Sequence, residues 1–301
     1  MDSHEVLDIV RLAAGIAILG YGAVEDWRTR RVGNRPWIIL AVIGIVLLPV
    51  QIVDDGWDRE WVVRFLLVLV PIAAILSDVY WDGKEGSMMA RYGPPVKYGV
   101  AIIAVIALGW KWGEIGYFQH FLAVPVLMLF IVLMYLLDVI RGGADAKALL
   151  SLCILFPLYP LLGDLPLLQG SPAAQTLFPF AFVILVNAAI ITALSPIYFL
   201  AKNVAARELK FPQALLGYKL DSKDLRGRQV WLMESMEDGV HRTFARPRKS
   251  ETMEKDVQEL VKAGHSRVWV TPKIPFIVPM LISIILSATA GNFLQLLLPN
   301  L

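Results

Sequence analysis

Apolar runs of about bilayer length, broken by short polar segments, recur along most of this chain. A hydrocarbon core of roughly 30 Å takes about 20 apolar residues per helix. Eight such spans are read, at residues 6–24, 37–53, 61–81, 97–112, 120–137, 146–162, 176–200 and 274–301. The fourth is the shortest. Prolines at 71, 125, 157, 160 and 196 fall inside spans and are expected to kink them, with neighbouring helices re-satisfying the freed carbonyls. The pattern changes over 202–273, where polar and apolar positions alternate. There Ser250 is expected to cap a helix running through Met253, Val257, Leu260 and Val261 and stopping at Gly264, flanked by short strands at 230–233 and 267–271. The expected fold is an all-α polytopic membrane protein of about eight transmembrane helices, with a small α+β insert before the last helix. Its divisions are a seven-span core (1–201), the insert (202–273) and a final helix (274–301).

Composition agrees with that reading. The chain has 301 residues, of which 57% are hydrophobic and only 18% charged. A mean hydropathy of +0.61 leaves too few polar residues to cover a water-soluble fold. The first span follows an acidic stretch and precedes no small-residue cleavage pattern, so it is expected to be retained as a helix. A net charge of +2 gives no ground for a nucleic-acid partner. A lone cysteine, Cys153, excludes an internal disulfide and a Cys-rich zinc site. The four histidines are scattered, without the His-Glu-x-x-His spacing of a metalloprotease.

Orientation follows from the bias of basic residues in short loops. Arg28, Arg30, Arg31, Arg35, Lys84, Arg91, Lys97, Arg141 and Lys147 fall on one side. Only Arg11, Arg59, Arg64 and Lys111 fall on the other. Nine against four puts the N-terminus outside and the first group in the cytoplasm. The insert, which holds 15 of the 28 basic residues and was left out of that tally, comes out cytoplasmic as well.

Two acids stand where a span meets the cytoplasmic boundary. Asp26 closes the first span in Glu25-Asp26-Trp27-Arg28, and Asp145 opens the sixth in Gly142-Gly143-Ala144-Asp145. Ionisable groups at membrane depth are rare and usually functional. Two carboxyls in one site hold a single proton between them, because both cannot ionise cheaply. Such a pair can activate a water on one carboxylate and protonate a peptide carbonyl, then the leaving amine, from the other. Gly142 and Gly143, lacking Cβ, are expected to allow close backbone approach and a positive φ before the helix starts.

These residues resemble the motifs of the archaeal preflagellin (archaellin) and type IV prepilin peptidases, membrane aspartyl proteases of the Gly-x-Gly-Asp group. Gly142-Gly143-Ala144-Asp145 looks like the archaeal form of the second motif. Asp26 with Arg28 and Asn34 resembles the first, with Val32-Gly33-Asn34 lacking the proline of bacterial members. The resemblance implies that Asp26 and Asp145 are the catalytic acids, that Gly142, Gly143, Arg28 and Asn34 support them, and that no cofactor or metal takes part. It implies a site at the cytoplasmic face and, as partners, archaellin or pilin-like precursors carrying class III signal peptides. The sequence departs in placing four spans, rather than two, between the acids, and in lacking the zinc-binding Cys-x-x-Cys pairs of bacterial relatives.

Rival readings are a proton-coupled secondary transporter using the same two carboxylates and a presenilin-like intramembrane protease. Transporter carboxylates lie near mid-membrane and often accompany inverted repeats; no repeat is visible here. The Tyr-Asp and Pro-Ala-Leu signatures of presenilin-like proteases are missing. Elsewhere, Asp138 is expected to pair with Arg141, and Asp78 and Asp82 to be interfacial acids. Glu25, Asp82 and Glu85 could draw in a basic leader. Trp37, Trp61, Trp81 and Trp112 are read as interface anchors and Asn187 as a helix–helix bonding residue. Arg242, Arg246, Arg248 and Lys249 form a basic cluster with a solvated surface as its default role.

Overall fold

The structure is a computed structural model, and it describes residues 3–54, 60–80, 88–112, 116–140, 142–168, 175, 178–225, 228–237, 239–245 and 253–297. It divides into two compact units, residues 1–189 with 276–301 and residues 190–275.

The first unit is helical. Its elements are α1 (Ser3–Thr29), α2 (Arg35–Asp54), α3 (Trp61–Tyr80), α4 (Met88–Trp112), α5 (Gly116–Leu136), α6 (Gly143–Leu155), α7 (Phe180–Ala193), α11 (Ile277–Thr289) and α12 (Leu294–Leu297). Among the described residues, four helical segments are long and apolar enough to cross a bilayer. They are α1, α2, α3 and the stretch Phe180–Ala205. Two shorter apolar helices, Ala123–Leu136 and Ile277–Thr289, accompany them. The protein is therefore a membrane protein with several long apolar helices. Ridges of exposed large apolar side chains agree: Ile38, Ile39, Val42, Val46 and Val50 line one face of α2, and Ile102, Ile103 and Ile106 one face of α4. Water would not tolerate such continuous patches, whereas lipid tails do.

The sixth span departs from expectation. α6 stops at Leu155 instead of running on to 162, because Pro157 and Pro160 disfavour helical geometry in the residues before them. Pro196 likewise marks a break after Leu194. Pro71 and Pro125 instead lie within α3 and α5.

Small residues set how closely helices pack. A Cβ on Gly44 of α2 would lie 2.9 Å from the carbonyl carbon of Ile154 in α6, so the two backbones touch only because position 44 is glycine. A Cβ on Gly22 of α1 would lie 2.7 Å from the Trp37 ring. Trp37 is fully buried beneath α1, which corrects its reading as an interface anchor. Trp61 is half-buried; Trp81 and the Trp112 side chain lie outside the described residues.

The second unit holds the α+β segment. After α8 (Ser195–Ala205) and the short α9 (Gln213–Leu216) come β1 (Tyr218–Asp221), β2 (Val230–Leu232), β3 (Glu234–Glu237) and β4 (Val240–Thr243). α10 (Met253–Lys262) and β5 (Arg267–Pro272) follow. The strands β1, β5 and β2 form an antiparallel sheet in that order, and β3 pairs with β4 in a hairpin. Leu260 of α10 packs with Val230, Leu232, Val268 and Val270 to make the core. Gly264 ends the helix at φ +92°, a conformation that favours glycine. Ser250, the expected cap, lies outside the described residues.

Candidate active site

Asp26 occupies the last turn of α1, where the Arg30 amide donates to the Asp26 carbonyl at 3.0 Å. Arg30 then takes φ +56° and turns the chain. Thr29 Oγ1 donates to the Glu25 carbonyl at 2.9 Å and to the Arg31 carbonyl at 2.7 Å, tying the reversal to the helix end. The Arg30 guanidinium lies 5.8 Å from the centre of the Trp27 ring and acts electrostatically on Asp26. Arg28 is exposed.

The reversal delivers Asn34 to the start of α2, where its carbonyl accepts the Ile38 amide at 3.0 Å. Its side chain does not serve its own helix. Asn34 Oδ1 accepts a hydrogen bond from Lys147 Nζ of α6 at 2.9 Å. One turn further along α6, Ser151 Oγ donates to the Trp37 carbonyl of α2 at 2.9 Å. Two polar links and the Gly44 contact thus hold α2 along α6, and the turn after α1 is fastened to the beginning of α6.

At that beginning Gly142 is extended, with φ −90° and ψ 115°, and its carbonyl accepts the Ala146 amide at 3.0 Å. Asp145 sits in the first turn and its carboxyl folds back over Gly142. A Cβ on Gly142 would overlap Asp145 Oδ2 and approach its Cγ to 2.7 Å. Glycine at 142 therefore leaves the space that the Asp145 carboxyl fills. The expected positive φ is not found at either residue, since Gly142 is extended and Gly143 already helical. Among the described residues, a Cβ at Gly143 would meet only the Tyr135 hydroxyl, at 3.5 Å. Asp26 and Asp145 are both half-buried, and the Asp26 charge acts on the Asp145 carboxyl.

Asp78 and Tyr98 line a cavity together with Gly143, Ala146 and Lys147, next to Asp145. Asp78 is ion-paired with Lys97 and accepts a hydrogen bond from the Tyr98 hydroxyl. Asn187 donates to Ser287 Oγ and the Gly291 carbonyl, both at 2.9 Å, and accepts the Phe293 amide at 3.1 Å. Asp138 is exposed after α5 with φ +56°. Arg141, Asp82 and Glu85 lie outside the described residues, as do Arg246, Arg248 and Lys249, while Arg242 pairs with Glu237 at 3.2 Å. Among the described residues no group of three or more His, Cys, Asp or Glu is arranged to hold a metal ion.

Two features escaped the sequence reading. Lys147 counts in the sequence only as a loop charge, although its position two residues beyond Asp145 marks it as part of the same helical turn. Arg11, also taken as a loop charge, is 1% exposed; it donates to Gln51 Oε1 at 2.9 Å and lies 3.8 Å from Asp8. Asp8 in turn accepts the Leu161 amide at 3.0 Å. Arg64 is likewise buried.

Residues 209–293 match the family described as the archaeal peptidase A24 C-terminus, type II. The match supports the archaeal preflagellin peptidase family for this chain. It lies wholly outside the segments carrying Asp26 and Asp145, so it and the two motifs are separate observations. The chain is also similar to an uncharacterized protein of Methanocaldococcus jannaschii, 25% identical over 269 residues that cover 88% of this chain and 87% of that protein.

Proposed function

We propose that the protein is a membrane aspartic endopeptidase that removes the short basic leader from archaellin or type IV pilin-like precursors at the cytoplasmic membrane face. What supports this reading is that Asp26 and Asp145 are both half-buried and that the Asp26 charge bears on the Asp145 carboxyl. The A24 match supplies the peptidase class.

The pair shares one proton. The ionised carboxylate takes a proton from water as its oxygen attacks the scissile carbonyl carbon, while the neutral carboxyl donates to the carbonyl oxygen. Collapse of the tetrahedral species breaks the C–N bond, with a proton delivered to the leaving amine. The Asn34–Lys147 bond serves to hold the two acid-bearing segments in register.

One further support concerns orientation. Arg11 and Arg64 are buried inside the unit, so they leave the loop tally and the basic bias toward the proposed cytoplasmic side grows. The proposal has α4 to α6 and α11 cross as well, which would make eight passes and return residues 202–273 to that same side. Co-expression with a panel of candidate precursors tests the reading. Leader loss, seen as a mobility shift and fixed by N-terminal sequencing, is expected for precursors with a basic leader before an apolar helix. Intact precursors across the panel, with the protein correctly inserted, would refute it.

A further inference from the structure

The segment after α8 carries apolar side chains that its own unit does not cover. The apolar stretch Phe180–Ala205 has 26 residues, broken at Leu194 between α7 and α8, whereas a hydrocarbon core of roughly 30 Å takes about 20. Residues 206–212 follow directly on the end of this stretch.

This loop is well tied. The Glu208 amide donates to the Asn203 carbonyl at 2.9 Å, and the Arg207 amide to the Val204 carbonyl at 3.0 Å. Asn203 is buried, and its Nδ2 donates to the carbonyls of Ala214 (2.9 Å) and Gly217 (2.7 Å), closing the loop's far end. Glu208 is ion-paired with Arg267. Held in this way, the loop nevertheless presents Leu209 at 55% exposure and Phe211 at 63%. Leu216 is exposed beside them, and the exposed charges of the loop are Arg207 and Lys210. A solvated loop gains nothing from fixing a Leu and a Phe outward alongside two cations. A surface lying on anionic lipid gains from both: the apolar tips enter the acyl boundary and the cations meet headgroup phosphates.

We propose that residues 206–212 form an interfacial wedge that inserts Leu209 and Phe211 into the membrane surface, with Arg207 and Lys210 binding anionic headgroups. Its consequence is that the α+β unit is held at a set height and rotation against the bilayer, not merely tethered through its chain ends.

The native chain has one cysteine, which is fully buried, so a nitroxide can be placed selectively. Phe211→Cys and, as reference, Val240→Cys (57% exposed on β4) are spin-labelled in the full chain in nanodiscs. Collision with oxygen and with an aqueous nickel chelate is then compared. The label at 211 is expected to favour oxygen several-fold over the label at 240 in anionic lipid. That preference should weaken in zwitterionic lipid and in the Arg207→Gln/Lys210→Gln variant. A label at 211 as open to the chelate as the label at 240 would overturn the wedge. Equal immersion in both lipids, unaffected by the double variant, would overturn the role given to the cations.

Discussion

Replacing Gly142 with alanine tests how the site is built, because the steric conflict falls on the catalytic carboxyl itself. The added methyl would lie 2.7 Å from Asp145 Cγ, about 1 Å inside normal carbon–carbon contact. Residue 142 has an ordinary extended φ, so the backbone tolerates alanine and the strain passes to the side chain. The Asp145 carboxyl must swing aside by about 1 Å, and a displacement of that size costs on the order of 100-fold in rate, about 2.7 kcal/mol of barrier. Gly143→Ala is the matched control: its methyl makes an ordinary 3.5 Å contact with Tyr135. Initial rates of leader loss, measured in membranes with equal amounts of each variant, should give a nearly inactive Gly142→Ala and a Gly143→Ala within a few-fold of the parent. Equal rates for the two, or a greater loss at 143, would refute the claim that Gly142 exists to seat Asp145.

A shared proton requires a bell-shaped pH profile for cleavage. At low pH both carboxyls are neutral and no base remains; at high pH both are ionised and no acid remains. A rate that stays flat as pH falls through the carboxylate range would contradict the mechanism. Lys147→Ala should free Asn34 and the turn after α1, lowering the rate about 10-fold for one lost charged hydrogen bond, with Lys147→Arg recovering most of it. Unchanged activity in the alanine variant would remove the proposed fastening. Arg11→Met should destabilise the protein by about 3 kcal/mol, because Asp8 would remain buried without its cation. Thermal unfolding in detergent micelles checks this, with little effect on cleavage at low temperature expected.

How far the sequence spoke depended on the range of the forces involved. The positions of α1, α2, α3 and α5 follow from apolar run length alone, to within a few residues. α6 was read too long because hydropathy continues through Phe156 to Leu162 while Pro157 and Pro160 end the helix. β1, β3 and β4 escape a sequence reading because each is only four residues long and carries charged or polar members. The pair Asp238-Gly239, a two-residue hairpin signal, could have located β3 and β4, and Gly239 indeed takes φ +75°. The candidate acids were legible from local motifs at helix ends. Their support was not: the Asn34–Lys147 bond joins residues 113 apart, and the buried Arg11 bonds to Gln51, 40 positions on. The reason for Gly142 lies in the tertiary structure, since extended backbone and a folded-back carboxyl cannot be told from a positive-φ turn by residue type.

The central claim is most directly tested by comparing Asp26→Asn and Asp145→Asn, each nearly isosteric with the parent, for cleavage of one identified precursor in membranes. Both variants should insert and fold at parental levels yet leave the precursor's leader fully attached. Normal processing by either one would contradict the two-carboxyl account.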